Sequence, residues 1–317
     1  MRLCAMAVCG MESGSFFPQW MLSRALPDQR FAEDYEAMAP GGRAWLKKNI
    51  AVAHARHGGV RFGPRYEAVE YDLGFSAMEQ TERRIWAAVF IGPAVLSPAR
   101  VLAAVLAALL SGMEQVIVAR ISPGVDDCPA WPLGVLAGLE LCGQELAVDA
   151  APDQATRLIQ AMAEAGGPGA VLDLGAEVAM PDTENAWAPG HVVRWTVRPA
   201  PPRLAVWADK DTEWDFETLA RTHPEARFTV SGPGAFGAPL GSVESGEDIE
   251  SLIAKGYDAV FAPRALVKQA LGAAPLVLGP GFEGCWFWPG LDSGFFRRGN
   301  VAFHEQQGPS RLMGDIS

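Results

Sequence analysis

The chain has few cysteines and no closely spaced pair among them. Its 317 residues include five cysteines. They are Cys4, Cys9, Cys128, Cys142 and Cys285. Because a disulfide framework or a cysteine zinc site needs several thiols at regular short spacing, this odd number and irregular spacing argue against both. The cysteine usage fits a reducing compartment, and we expect a cytoplasmic protein.

Long hydrophobic runs are also missing. The longest apolar run, Val101–Leu110, is far shorter than the ~20 residues that cross a bilayer, and it favours a buried helix. Residues 1–10 contain one arginine and no apolar run of ~7–15 residues, so we expect no signal peptide. Met6 and Met11 are alternative starts. We therefore expect no membrane partner.

Positive charge is scarce. The net charge is −11 and the pI about 5.0, and basic residues form only short runs such as Lys47-Lys48 and Arg297-Arg298. A nucleic-acid-binding protein normally needs a basic stripe that neutralises phosphates, so we expect no nucleic-acid partner. The 49% of hydrophobic and 20% of charged residues are typical of a globular protein. The length suggests about two domains.

Strand and helix patterns alternate along most of the chain. Apolar runs such as Ala87–Ile91 and Gln115–Ala119 predict strands, and helical segments separate them. The rhythm pauses over residues 176–202, which we interpret as a crossover, and restarts at Arg203–Ala208. Nearly continuous apolar strands separated by helices are typical of a parallel sheet that is covered on both faces. The sequence therefore predicts an α/β fold with two Rossmann-like parallel-sheet units.

Three regions follow from this pattern. Residues 1–84 are predicted to be a helical lead, with a helix over Ala44–His57 and one or two short strands within Gly63–Phe75. Residues 85–197 form the predicted central Rossmann-like unit. Residues 198–317 form the predicted second α/β unit.

Several blocks carry a family resemblance. The segments AVFIGPAVLSPARVLAAVLAALLSGMEQVIVA and LGVLAGLELCGQELAVDAAPDQATRLI resemble the central domain of histidinol dehydrogenases. Pro202–Asp209 and Ala274–Trp288 resemble two later blocks of that family. The resemblance implies an aldehyde dehydrogenase-like α/β fold, a lead that packs on the second unit, and an NAD- and zinc-dependent oxidation of an amino alcohol. The chain has no room for the family's C-terminal helical tail.

The zinc ligands that the resemblance implies are mostly missing. The family uses a Gln and a His three residues apart, an Asp, and a His from the tail; here the first pair is Ala220 and His223, and the Asp falls near Trp288. One ligand cannot hold zinc, which takes about four, so we expect no zinc. His223 is the only surviving metal candidate, and a lone histidine at a helix end is more often structural.

The acid–base pair and the cofactor residues are also incomplete. The family's Glu-His pair aligns with Arg264-Ala265 or with Tyr257-Asp258, and neither contains it. The family's cofactor Gln matches Gln154, at the start of a predicted helix, and the alternative is a solvated helix residue. The cofactor Asn is missing from both Gly166–Ala170 and Ala188–His191, so Gln154 alone supports NAD.

Two functional hypotheses follow. The first is a shortened, catalytically degenerate family member, without zinc or the family reaction, that binds a small molecule or nucleotide or serves as a partner subunit. The second is an active NAD-dependent oxidoreductase on a related alcohol or aldehyde, for which His223, His191 and Asp258 are the catalytic candidates. An aromatic C-terminal patch around Trp286 and Trp288 is interpreted first as a packed cap or subunit contact and second as a ligand pocket. The oligomeric state stays open, with a dimer as one option.

Overall fold

The computed structural model describes residues 17–58, 63–122, 130–181, 190–235, 240, 242–244 and 248–305. Cys4, Cys9, Cys128, Met6, Met11 and residues 188–189 lie outside them. The helices are α1 (Gln19–Leu22), α2 (Asp28–Ala37), α3 (Pro40–His57), α4 (Pro98–Leu110), α5 (Val135–Leu141), α6 (Pro152–Gly166), α7 (Phe216–Thr222), α8 (Ile249–Ala254) and α9 (Val267–Ala270). The strands are β1 (Arg65–Tyr71), β2 (Phe75–Arg83), β3 (Trp86–Ile91), β4 (Gln115–Ile121), β5 (Ala147–Ala150), β6 (Gly169–Leu174), β7 (Val192–Val197), β8 (Arg203–Trp207), β9 (Arg227–Ser231), β10 (Ser242–Glu244), β11 (Ala259–Phe261), β12 (Val277–Leu278) and β13 (Arg297–Glu305).

The first parallel sheet has the strand order β5-β4-β3-β6-β7. In its central strand β3, Trp86 and Phe90 pack on one face and Val89 and Ile91 on the other, all at 0% exposure. Successive side chains of a strand point to opposite faces, so a strand that is apolar throughout must be covered on both. This confirms the predicted α/β fold class.

The second parallel sheet, β10-β9-β8-β11-β12, shares helix α4 with the first. Ala99 and Ala103 of α4 pack into the core of the second sheet, whereas Val101 and Leu102 pack into that of the first. Because α4 is covered from both sides, its one charged residue, Arg100, is only 2% exposed. The junction of the two sheets therefore contains a buried guanidinium.

The predicted crossover 176–202 contains strand β7, so that interpretation was wrong for residues 192–197. β7 is the edge strand of the first sheet, and the ion pair between Arg194 and Asp173 ties it to β6. Its residues are half-buried or exposed rather than buried, because no further strand covers its outer edge within the described residues. A strand at the edge of a sheet need not be apolar throughout, and the prediction of strands depended on continuous apolar runs.

The lead packs mainly against the first sheet unit. Phe31 and Leu46 belong to the hydrophobic core of that unit, and the Asp34 carboxylate accepts hydrogen bonds from the Gly134 and Ala137 N–H groups at the start of α5. Helix α3 also reaches the second unit, where Lys48 donates to the Gly281 carbonyl. The helical lead was expected on the second unit, but its apolar residues face α4 and α5.

A separate antiparallel sheet completes the fold. Strands β1, β2 and β13 form it in that order, and we call it the arm; β2 lies in the middle, so that residues 75–83 pair with both β1 and β13. Strand β13 was not predicted. None of the described helices is long and apolar enough to cross a membrane.

Candidate functional site

His223, the one surviving zinc-ligand candidate, lies just after α7 in the buried junction between the sheets. Asp215 caps the start of this helix by accepting from the Thr218 N–H at 2.8 Å, and His223 follows its last turn. The imidazole is 0% exposed. Its Nδ1 lies 3.2 Å from Ser97 Oγ, and its ring centroid lies 5.5 Å from that of Trp286.

Burial makes His223 a weak base. Desolvation, with a smaller contribution from the Arg100 charge, lowers the pKa of His223 to about 3. The Glu283 backbone has a smaller effect that raises the pKa of His223, although His223 Nε2 has no hydrogen-bond partner among the described residues. At neutral pH the ring is therefore uncharged and too weakly basic for general-base chemistry.

The Ser97–His223 pair has the spacing of a nucleophile and its base, but not the surroundings. Ser97 Oγ accepts from the Arg100 N–H and so caps α4, and Ser97 is 0% exposed. Because a nucleophile must reach substrate, a fully enclosed pair is a structural contact. Cys285, also buried, offers no nucleophile either, since burial raises the pKa of its thiol to about 11.

The residues present do not fit a zinc ion. The fold does bring His223 next to the 283–288 segment, as the resemblance implies, but the side chain facing the imidazole is the Trp286 indole. Glu283 is buried nearby, but it supplies a carboxylate and not a second imidazole or a thiolate. Among the described residues, no group of three metal-ligating side chains comes together.

An ion pair neutralises the buried Arg100. Arg100 Nη1 lies 2.7 Å from Glu225 Oε1, and the two side chains are 3% and 4% exposed. The guanidinium carbon lies 5.6 Å from the Trp286 ring centroid and 5.2 Å from that of Trp288, and Trp288 Nε1 donates to the Arg100 carbonyl. We call Ser97, Arg100, His223, Glu225, Glu283 and Trp286 the junction cluster. The indoles thus form the packed cap that the aromatic composition predicts.

Five polar atoms of the junction cluster are buried without a hydrogen-bond partner among the described residues. They are Arg100 Nε, His223 Nε2, Glu225 Oε2, Glu283 Oε2 and Trp286 Nε1. Buried polar groups in folded proteins nearly always have partners, either from the protein or from water or a ligand. Half of the ten such atoms among the described residues lie in this one cluster.

A cavity of about 470 Å³ opens on one side of the junction cluster. Its basic side chains are Arg100, Arg198 and Arg203, and its acidic side chain is Asp258. The Asp258 carboxylate accepts from the Arg203 N–H at 2.7 Å, and the Arg203 guanidinium stacks 4.9 Å from the Tyr257 ring centroid. We call this cavity the arginine pocket; Trp286, Trp288 and the segment 200–202 complete its wall.

A second cavity, of about 360 Å³, lies at the residues flanking His223 and Glu283, and we call it the Trp45 cleft. Its wall is mostly apolar, and Arg221 is its one charged side chain. Arg221 is already bound to Glu217 Oε1 at 3.1 Å and Thr218 Oγ1 at 3.2 Å. A side chain added at Gly284 would meet the Trp45 ring, so the backbone is closely packed there. The cleft offers apolar contact and little polar recognition.

The other two candidates lie elsewhere. Gln154 Oε1 accepts from the Ala151 N–H at 3.0 Å, which satisfies a backbone donor at the start of α6. His191 precedes β7, with Nε2 3.1 Å from the Ala163 carbonyl oxygen. His191, His223 and Asp258 thus have different neighbours: His223 packs on Trp286, and Asp258 lines the same cavity as Trp286.

Sequence reasoning missed Ser97, Arg100 and Glu225 of the junction cluster, and Arg203 of the arginine pocket. One local signal was available, because Arg100 is a lone charge inside an otherwise apolar helix. Its partner Glu225 is 125 residues away along the chain, so no spacing rule connects the two.

The fold, with its two parallel sheets, is similar to the fold of histidinol and aldehyde dehydrogenases. Histidinol dehydrogenase from Elizabethkingia anophelis is similar, with a TM-score of 0.55, 12% identity, and coverage of 89% of this chain and 76% of that one. The putative aldehyde dehydrogenase PutA from Anabaena variabilis is similar with a TM-score of 0.51, 9% identity, and coverage of 90% and 86%. No family model and no curated protein matches the sequence. At these identities the likeness shows the fold alone.

Proposed function

We propose that this protein binds an anionic small molecule, with nucleotides in that class, and does not carry out a zinc-dependent dehydrogenation. The observation that carries the proposal is the closed junction cluster. Where the family resemblance implies a metal and an accessible base, this chain has a histidine at 0% exposure against an indole. An imidazole that is enclosed by the protein, and whose pKa is about 3, is out of reach of a substrate and too weak a base for the family's proton transfers.

The arginine pocket supports an anionic ligand. Arg198 is exposed, and the buried Trp286 Nε1 and Arg100 Nε lack acceptors among the described residues. Guanidinium groups present planar forks of N–H donors that match carboxylate and phosphate oxygens. Glu225 balances Arg100, and the other charged side chains of the pocket are Arg198, Arg203 and Asp258, so two positive charges and one negative charge leave a net positive charge for a ligand.

The cofactor side does not reproduce the family's NAD contacts. The one matching residue, Gln154, uses its amide oxygen as a helix cap, and the sequence lacks the matching Asn. The alternative of an active NAD-dependent oxidoreductase therefore rests on the fold and on Gln154. NAD is still a useful probe, because its pyrophosphate is itself an anion.

Thermal melts with inorganic pyrophosphate test the proposal. A ligand at ~100 times its Kd adds roughly 2.7 kcal/mol to the unfolding free energy, which raises Tm by several degrees. We expect such a rise for the chelator-treated protein and its loss in the double variant Arg198→Gln/Arg203→Gln. Arg227→Gln, at an exposed arginine of the same sheet, is the matched control and should keep the rise.

Two results contradict the proposal. One is an unchanged Tm at saturating pyrophosphate and at saturating NAD. The other is a rise that persists in the double variant, which would place the anion elsewhere. Zinc-dependent oxidation of an amino alcohol by the purified protein would overturn the claim that the family reaction is lost.

A further inference from the structure

The arginine pocket contains one acidic side chain, which the binding of a simple anion does not require. The Asp258 side chain is exposed and lines the cavity together with Arg198 and Arg203. A carboxylate repels an anionic ligand, so its presence beside the guanidinium groups reduces the attraction for a simple anion. An acidic residue in this position is explained if the ligand also carries hydrogen-bond donors.

Only one oxygen of Asp258 is used by the fold. Oδ2 accepts from the Arg203 N–H at 2.7 Å, and the Asp258 N–H donates to the Arg203 carbonyl at 2.9 Å, so the two residues join the starts of β8 and β11. No described residue donates a hydrogen bond to the other oxygen, Oδ1. An ionised carboxylate has about four acceptor sites on its two oxygens. Asp258 therefore keeps acceptor capacity for a donor on a bound molecule.

The guanidinium groups of the pocket suit a phosphate. Arg203 is held in place, because its Nη1 donates to the Lys255 carbonyl at 3.1 Å and the group stacks 4.9 Å from the Tyr257 ring centroid. A guanidinium has five N–H donors in a planar fork, so the remaining donors can bind a ligand. Arg198 adds a second fork, since it is exposed and no described residue pairs with it. A phosphate ester, with three terminal oxygens and about two negative charges, uses two forks more fully than a carboxylate does.

The remaining wall is largely apolar. Pro201, Pro202 and the half-buried Trp288 line it. Small-molecule sites combine apolar walls with a few polar groups that fix the orientation of the ligand, and their volumes are about 300–1,000 Å³. At about 470 Å³ the arginine pocket falls within that range. The C–H face of a sugar ring can pack on such a wall while its hydroxyl groups donate to a carboxylate.

We propose that the ligand of the arginine pocket is a sugar phosphate. Its phosphate binds Arg198 and Arg203, and a hydroxyl group donates to Asp258. The inference rests on the proposed function, because it specifies which anion the same pocket binds. Asp258 is then the residue that selects a hydroxylated anion over a simple one.

The first test is calorimetric titration of the wild-type protein with two phosphate esters. Ribose 5-phosphate carries hydroxyl groups on its ring, and cyclopentylmethyl phosphate carries the same phosphate on a ring without them. We expect ribose 5-phosphate to bind about 10-fold more tightly or better, because a hydroxyl that donates to a carboxylate forms a charge-assisted hydrogen bond. The hydroxyl-free ring is the more apolar of the two, so burial of apolar surface works against this result.

The second test is the same pair of titrations with Asp258→Asn. Asparagine keeps an acceptor for the Arg203 N–H, but a neutral oxygen binds a hydroxyl less strongly than a carboxylate does. We expect the preference for ribose 5-phosphate to fall about 5-fold. Cyclopentylmethyl phosphate should bind as well as before or more tightly, because a like charge has been removed. Asp211→Asn, at an exposed carboxylate outside the pocket, is the matched control and should keep the wild-type preference.

The contrary results separate this inference from the proposed function. If pyrophosphate raises Tm but the two esters bind equally well, the sugar phosphate is wrong and the anion site stands. An unchanged preference in Asp258→Asn would show that the hydroxyl groups bind elsewhere. Weaker binding of both esters in that variant would show that Asp258 only supports the structure of the pocket. If pyrophosphate and both esters fail to bind, the proposed function is refuted together with this inference.

Discussion

The strands of the two parallel sheets and the strands of the arm differ in how far their side chains are buried. In β3 every residue from Trp86 to Ile91 is at 0% exposure, whereas every residue of β1 is exposed. The first sheet has helices on both faces, and the arm has none of its own. A strand that is covered on both faces draws its stability from buried area, and a strand in solvent depends on its backbone ladder and on partners at its edge.

The largest expected effect contrasts a core tryptophan with an arm phenylalanine. Trp86 is fully enclosed and packs against Gly169, where an added Cβ would overlap the indole. We expect Trp86→Ala to lower the unfolding free energy by about 3–5 kcal/mol. Phe303→Ala, at an exposed side chain of the arm, should stay within about 0.5 kcal/mol. Urea unfolding measures both, and similar losses would contradict the contrast.

The second effect contrasts a buried ion pair with an arm ion pair. Glu225→Gln leaves the Arg100 charge uncompensated in the junction, and we expect a loss of about 3–5 kcal/mol. Glu67→Gln, which breaks the exposed Arg65–Glu67 pair, should cost at most about 0.5 kcal/mol. Because a buried pair can be replaced by apolar residues of similar volume, Arg100→Met/Glu225→Leu should recover much of the loss in urea unfolding. No recovery would mean that the cluster has a role beyond charge balance.

The third effect is the contribution of the enclosed His223 to the pH dependence of stability. His223 has a pKa of about 3 in the folded protein against an ordinary value of 6.5. Below pH 6.5 the unfolded chain binds a proton at this site that the folded chain does not, so stability falls as the pH falls towards 3. Between pH 7 and 5 this group should remove about 2 kcal/mol.

Two variants separate this histidine from the other titrating groups. His223→Gln should flatten the pH dependence of the unfolding free energy by that amount, whatever its effect on stability at pH 7. His304→Gln, at an exposed position on the arm, should leave the wild-type slope. A wild-type slope in His223→Gln would show that the ring titrates normally and is not enclosed.

The smallest effect distinguishes a helix cap from a cofactor contact. Gln154→Ala removes the hydrogen bond to the Ala151 N–H, and we expect a loss of about 0.5–1 kcal/mol. Gln160→Ala, on the same helix, removes an exposed contact with Glu164 and should cost about 0.2–0.5 kcal/mol. If NAD raises Tm in the wild type and in Gln160→Ala but not in Gln154→Ala, then Gln154 binds the cofactor and the oxidoreductase hypothesis gains support.

Local pattern predicted the covered part of the fold well. The apolar run Val101–Leu110 was expected to be a buried helix and lies within α4, and strand β3 was expected over Ala87–Ile91, within one residue of where it lies. Runs that are buried on both faces are apolar throughout, so they stand out in the sequence. Strands β7 and β13 escaped notice because each lies at the edge of its sheet, where polar residues such as Arg194 and Asn300 interrupt the apolar ones.

For the site, the sequence indicated what was missing but not what replaced it. Ala220 and the lack of a carboxylate near Trp288 could be read directly from the resemblance. The resemblance could not show that Trp286 packs on His223 or that Glu225 balances the charge of Arg100. These contacts join α4, the end of α7 and the 283–288 segment, and no local rule brings such distant residues together.

Composition and apolar periodicity thus suffice to specify two layered α/β units, because every buried strand and helix must carry an apolar face wherever it finally packs. The protonation of His223, the charge balance of Arg100 and the solvent-exposed edge of β13 depend on which segments meet across the chain. The burial of a side chain and the charges around it depend on the tertiary structure. The pKa of the His223 imidazole, ordinarily 6.5, falls to about 3 because the two sheets enclose the ring.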